Sequence, residues 1–431
     1  MRQESGHGLH NESRSMNSST LIRKVRLLCP ASGRDLVTDI LLRDGAVAHL
    51  GAGAGSATHT LDGDGLWLLP AAIDLAARLR EPGATQKASI ASETAAALAA
   101  GVATLCVPPD TRPVADTPAL VDRIHAKAAQ AGKAQVKVLG ALTQGLNGEA
   151  LAELSALKAA GIVGASNGHR PLANALVARR ALEYAQGLGL TVHVQAMDPA
   201  LANGGCAHEG ATATRLGLAP IPVAAEVAAI RQWISLVEDT GGRVHFGRLS
   251  SARGAELIES AQQRGLPVSA DVAAHQLFLT DAALDGFNAQ AHLLPPLRSE
   301  DDRQALRAAV ARGVIAAICS DHQPHEPDAK TNPFPLTEPG ASAVETLLPL
   351  SIRLVHEGLL TPLQMAERLS AGPARVLGLP LPGIDAGAHL PLVLVDPQLQ
   401  WTLQAEQLLS RGRNTPFAGW PLRGRALCCF L

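Results

Sequence analysis

Aromatic side chains make up only 3% of the 431 residues, with a single tyrosine and four tryptophans. A large core must then be assembled from Ala, Leu and Val, and the 47% hydrophobic content supplies enough of them. An excess of charge of either sign is missing too. The net charge is −2 with no long basic run, so nothing points to nucleic acid or to an anionic membrane surface. Six cysteines (Cys29, Cys106, Cys206, Cys319, Cys428 and Cys429) are scattered without a CxxC pair. In a chain this long that pattern points to reduced thiols and a cytoplasmic protein, not to a disulfide framework. No apolar run reaches the roughly 18 residues of a membrane span. Residues 1–20 are polar, rich in Ser, Asn and His, and lack the apolar stretch of a secretory signal. They read as a disordered extension, with Met16 as an alternative start.

What is there is alternation. Short β-like runs at 67–75, 102–107, 135–141, 161–165, 190–195, 243–248, 266–272 and 314–319 are each followed by an Ala-rich stretch of helical length. Eight β-then-α units imply parallel strands joined by crossover helices, and so a (β/α)₈ TIM-type barrel over 67–379. The flanks, 21–66 and 380–431, carry short alternating strands with Gly turns, such as Asp44-Gly45 and Asp62-Gly63. A small β-sandwich formed by both chain termini is the economical reading. The Gly51–Gly55 stretch reads as a loop, not as a phosphate cradle.

Several ordered motifs carry chemistry. The first is Leu69-Pro70-Ala71-Ala72-Ile73-Asp74-Leu75-Ala76-Ala77-Arg78-Leu79-Arg80-Glu81-Pro82-Gly83. Next come Pro108-Pro109-Asp110-Thr111-Arg112-Pro113 and Gly140-Ala141-Leu142-Thr143-Gln144-Gly145. Ser250-Ser251-Ala252, Pro295-Pro296-Leu297-Arg298, Ser320-Asp321-His322-Gln323-Pro324-His325, Glu338-Pro339-Gly340 and Asn414-Thr415-Pro416-Phe417 complete the set. In order and spacing they resemble the dihydroorotase family of the amidohydrolase superfamily, over nearly all of the chain beyond residue 20.

The resemblance implies a zinc site at the carboxyl ends of the barrel strands, and here its ligand positions are altered. The family's His-x-His pair on strand 1 is Ala76 and Arg78. The bridging carboxylate of strand 4 is Asn167, the strand 5 histidine is Gln195, and the strand 6 histidine is Arg248. Only Asp321, on strand 8, is kept. A zinc site needs neutral imidazoles or anionic ligands in a tetrahedral or bridged array, and a guanidinium only donates. Loss of the metal removes the activated hydroxide that opens or closes a cyclic amide. Arg80 and His325 match the family's substrate end, but its asparagines stand as Asp110 and Leu294. Arg80, Asp110 and His325 are therefore vestigial substrate-binding positions. Arg78 and Arg248 are expected to pair with Asp321 and fill the metal cavity. His193, His245 and His275 read as satisfied core or rim histidines.

The closest resemblance is to dihydroorotase-like chains that serve in some bacteria as non-catalytic partners of aspartate carbamoyltransferase. It implies a catalytically inactive subunit without zinc in a dodecamer of six plus six chains, acting in de novo pyrimidine biosynthesis. Two other readings stay open. One is an active dihydroorotase or related cyclic amidase with an atypical metal site around Asp321, His322 and His325. The other is a stand-alone protein that senses a pyrimidine precursor through Arg80 and His325.

Overall fold

The computed structural model describes residues 19–53 and 55–431. Its centre is an eight-stranded parallel sheet whose strands neighbour one another in chain order. We number them β1 (Ala72–Asp74), β2 (Val102–Val107), β3 (Gln135–Ala141), β4 (Gly164–Ser166), β5 (Val192–Val194), β6 (Val244–Phe246), β7 (Val268–Ala273) and β8 (Ala317–Cys319). A parallel bridge between Ala77 and His322 brings the end of β1 to the end of β8, so the sheet returns on itself as a barrel. The Arg78 amide donates to the His322 carbonyl (2.8 Å) and the His322 amide to the Ala76 carbonyl (3.0 Å). All eight sequence-predicted strands are present.

Helices follow the strands because the turns between them carry start and stop signals. Ser89 caps Ile90–Ala99 in a capping box with Ser92, and Asn174, Ser251 and Ser299 accept first-turn amides of their helices. Gly132 and Gly241 end Pro118–Ala131 and Val223–Thr240 in left-handed backbone, where a Cβ is disfavoured. Buried Ala, Leu and Val from strands and helices form one continuous core with few aromatic rings.

The termini build a second unit, as one branched seven-stranded sheet. Its order is Pro421–Phe430, Leu392–Thr402, Trp67–Pro70, Ser19–Cys29, Arg34–Arg43 and Ala46–Leu50, with His59–Asp62 paired to Ser19–Cys29. Ile22, Leu27, Ile40, Leu68, Leu392 and Leu394 form a core of its own. Two boundaries move. The run at 67–75 is divided at Ala71: Trp67–Pro70 pairs antiparallel with 392–395 in the terminal sheet, and only Ala72–Asp74 enters the barrel. Of the disordered extension expected for residues 1–20, Ser19 and Thr20 instead begin the first strand, while residues 1–18, with the alternative start at Met16, lie outside the described residues, as does Ala54 of the Gly51–Gly55 stretch.

Candidate functional site, a closed ion-pair centre

The carboxyl ends of β1, β6 and β8 meet over Asp321. Its Oδ1 accepts from Arg248 Nη1 (3.2 Å) and lies 3.7 Å from Arg78 Nη1, and its Oδ2 accepts from Gln323 Nε2 (3.1 Å). Each arginine has a second acceptor. Arg78 Nε donates to Asp110 Oδ2 (2.9 Å), and its Nη2 lies 2.6 Å from His169 Nε2. Arg248 Nη2 donates to Gln195 Oε1 (2.7 Å), and Gln195 Nε2 donates to the Leu294 carbonyl (3.3 Å). Two guanidinium groups thus face the two carboxylates Asp321 and Asp110, so the centre is neutral by pairing. Arg78, Arg248, Asp321, Asn167 and Ala76 are all buried.

Electrostatics follow from this pairing. Burial works against the Arg248 charge, but the Asp321 and Asp271 carboxylates overcome it and hold its pKa above the ordinary value. Burial also opposes ionisation of Asp110, and the neighbouring Arg78 outweighs it, leaving the carboxyl below its usual range. His169 is held well below its ordinary value by burial and by the two arginines. Such paired buried charges resist the loss of any one member, because the remainder is stranded in a low-dielectric interior.

The backbone is bent to aim these groups. Arg248 and Asp321 have φ of 58° and 48°, a left-handed conformation that costs a non-glycine residue about 1 kcal/mol. Asp271 holds the first of them: its Oδ1 accepts the Arg248 amide (2.6 Å), and its Oδ2 accepts His245 Nε2–H (2.8 Å). His245 Nδ1 in turn takes the Ser269 hydroxyl at 2.8 Å.

The other sequence-predicted positions fall in three places. Asn167 faces its own loop, accepting from Thr143 Oγ1 (2.7 Å) and donating to the Arg170 carbonyl (3.0 Å). Arg80 Nε donates to the Pro324 carbonyl (2.9 Å) and its Nη2 lies 2.9 Å from His325 Nε2, while Lys87 Nζ stands 3.0 Å from His325 Nδ1. Burial, with Arg80 and Lys87 close by, drives the His325 pKa down to about 2, so the ring is neutral. His322 is structural: its Nε2–H donates to buried Glu93 (2.8 Å), and its Nδ1 accepts the Ala343 amide (3.0 Å). With both nitrogens engaged it cannot join Asp321 and His325 in a metal site.

Asp110, read as a vestigial substrate-binding position, is the partner of Arg78. One expectation needs correction. Of His193, His245 and His275 only His245 is satisfied; His193 Nε2 and both ring nitrogens of His275 are buried with no partner among the described residues. Burial lowers their pKa values to about 3 and about 4, so the neutral rings carry no charge to compensate. His169, Gln323 and Lys87 were not singled out from the sequence. His169 and Gln323 adjoin altered motifs, which was the available signal; Lys87 had none.

A family model described as dihydro-orotase-like matches residues 65–253, and one described as amidohydrolase family matches residues 222–424. A "Dihydroorotase-like protein" of Pseudomonas aeruginosa is 51% identical, with 94% of this chain and 96% of that protein covered. The chain belongs to the dihydroorotase-like family. A "Dihydroorotase" of Syntrophotalea carbinolica is 40% identical over 95% of this chain and 96% of its own. The solved L-hydantoinase (dihydropyrimidinase) of Arthrobacter aurescens, 22% identical, superposes with a TM-score of 0.85 over 95% of this chain and 94% of that one, a likeness of fold. Zinc is the metal this family implies, and the side chains of this dihydroorotase-like chain do not fit it. Two permanently cationic groups that only donate flank the one remaining ligand-type carboxylate.

Replacing Arg248 by Met strands part of the Asp321 charge and is expected to destabilise the fold by about 3 kcal/mol in urea unfolding. Adding Asp321→Leu should recover much of that loss, and an unchanged urea midpoint in Arg248→Met would contradict the pairing. Acid sensitivity follows from the histidines. Folded pKa values of His193 and His275 lie below the ordinary 6.5, so their contribution is complete above pH 6.5 and is lost as the pH falls toward about 4 and about 3. Melting temperature should decline steadily between pH 6.5 and 4, and a flat profile there would contradict their burial as neutral rings.

Proposed function

We propose that this dihydroorotase-like chain is a catalytically inactive subunit that assembles with aspartate carbamoyltransferase, six chains of each, in cytoplasmic pyrimidine biosynthesis. The observation that carries the reading is the ion-pair centre: Arg248 and Arg78 bracket Asp321 where a hydrolase of this family needs a metal-activated water. No zinc is required by such a chain. Its barrel is otherwise orderly, with caps, turns and closure intact, so its surface is what remains for function. By burying transferase surface it would stabilise the active quaternary form of its partner, a linkage effect that grows with subunit concentration. The 51% identical Pseudomonas relative is likewise named dihydroorotase-like and not dihydroorotase.

The competing reading, an active cyclic amidase with an atypical site, draws on the relatives near 40% identity that carry the name dihydroorotase. It must find its metal ligands elsewhere, since His322 is spent on Glu93 and on the backbone. Among the described residues no group of three or more His, Cys, Asp or Glu side chains is arranged to hold a metal ion. No helix among them is long and apolar enough to cross a membrane.

Co-expression with the transferase chain of the same organism tests the proposal. The two chains should co-elute as one large species, and transferase activity should fall when this chain is omitted. Separate elution together with full transferase activity alone would overturn it.

A further inference from the structure

On the flank of the barrel, away from the ion-pair centre, a cleft opens between the helix after β7 (Glu300–Arg312) and the helix after β8 (Val344–His356). Three arginines line it, Arg303, Arg307 and Arg353, together with the carboxylates of Glu300 and Glu357. The arginines are held in place before any ligand arrives. The Leu277 carbonyl accepts from Arg303 Nη1 and from Arg307 Nη1, each at 3.2 Å. The Arg353 guanidinium lies over two rings, 5.4 Å from the centre of Phe278 and 5.5 Å from that of Trp420. Trp420 is itself braced edge-on by buried Phe417, with centroids 5.0 Å apart. Side-chain exposure is only 18% for Arg303 and 11% for Arg307, so their rotamer freedom is already spent.

Glu357 indicates what these forks accept. One carboxylate oxygen takes Arg307 Nη2 at 2.6 Å and the other takes Arg353 Nε at 2.8 Å. An oxyanion therefore already bridges two guanidinium groups, supplied by a side chain that is one-third exposed, on the residue that ends its helix. Arg303 is already paired with Glu300, whose two oxygens take its Nε and Nη2. With Glu357 turned outward, Arg307 and Arg353 are left as two uncompensated cations that match a phosphate monoester dianion. A carboxylate ligand would neutralise only one of them. Planar guanidinium forks on rigid elements suit the several oxygens of a tetrahedral phosphate.

We propose that this cleft is a binding site for the phosphate group of a small phosphorylated compound, with the Glu357 carboxylate as its built-in competitor. The cleft shares no lining residue with the ion-pair centre.

Isothermal titration of the full chain with inorganic phosphate, at constant ionic strength and with acetate as the carboxylate control, tests it. Phosphate should bind and acetate should bind more weakly. Arg353→Gln should weaken phosphate binding by about tenfold, the loss of one charge-assisted contact. Glu357→Gln removes the competitor and should tighten binding by a similar factor, a gain that a disturbed fold would not produce. Absence of phosphate binding, equal binding of acetate, or an affinity unmoved by both substitutions would overturn the proposal.

Discussion

Asp321 is a buried carboxylate on which the upper end of the barrel depends. Left alone in that interior it would cost several kcal/mol, and in a metal-dependent relative a dication would meet that cost. Here two guanidinium groups meet it, from Arg248 and from Arg78. Each of these needs a further acceptor, which Gln195 and Asp110 provide. The altered positions therefore form one solution to one electrostatic constraint. A change at 248 without a change at 195, or at 78 without a carboxylate at 110, would leave a guanidinium with unmet donors.

The frame around this centre is organised by other buried pairs. Asp271 fixes the left-handed backbone of Arg248 and the tautomer of His245. Glu93 and His322 join the helix after β1 to the end of β8, and the Ala77–His322 bridge closes the barrel beside them. Asp74, whose carboxyl burial raises to about 6, accepts both the amide and the hydroxyl of Ser320. These contacts position the strand ends that a hydrolase would use, and here they position an ion-pair cluster. In the proposed inactive subunit the scaffold is kept while the chemistry is not, as folds and sites in general can separate.

Much of this was legible in the sequence, for physical reasons that differ by element. The barrel was legible because each strand is a short apolar run followed by a helical stretch, four of whose helices carry a Ser or Asn cap, both local signals. The pairing of Arg78 and Arg248 with Asp321 was legible because the flanking motifs, Leu79-Arg80-Glu81-Pro82-Gly83 for instance, fix the register of these positions at the strand ends. The division at Ala71 was not, since residues 67–73 form one unbroken apolar run and the partner strand of 67–70 lies more than 300 residues away. The pairing of Asp110 with Arg78 was not legible either, since it joins side chains 32 residues apart on different strand ends. The unpartnered rings of His193 and His275 were equally hidden, because a buried neutral histidine and a satisfied one look alike in sequence.

In the proposed inactive subunit, paired arginines occupy the place of a catalytic metal and the fold does not perform its family's hydrolysis. The most direct measurement is metal analysis of the purified chain joined to a dihydroorotate turnover assay with added zinc. The account predicts zinc far below one equivalent per chain and no turnover above background, with or without added metal. Near-stoichiometric zinc together with metal-dependent turnover would contradict it.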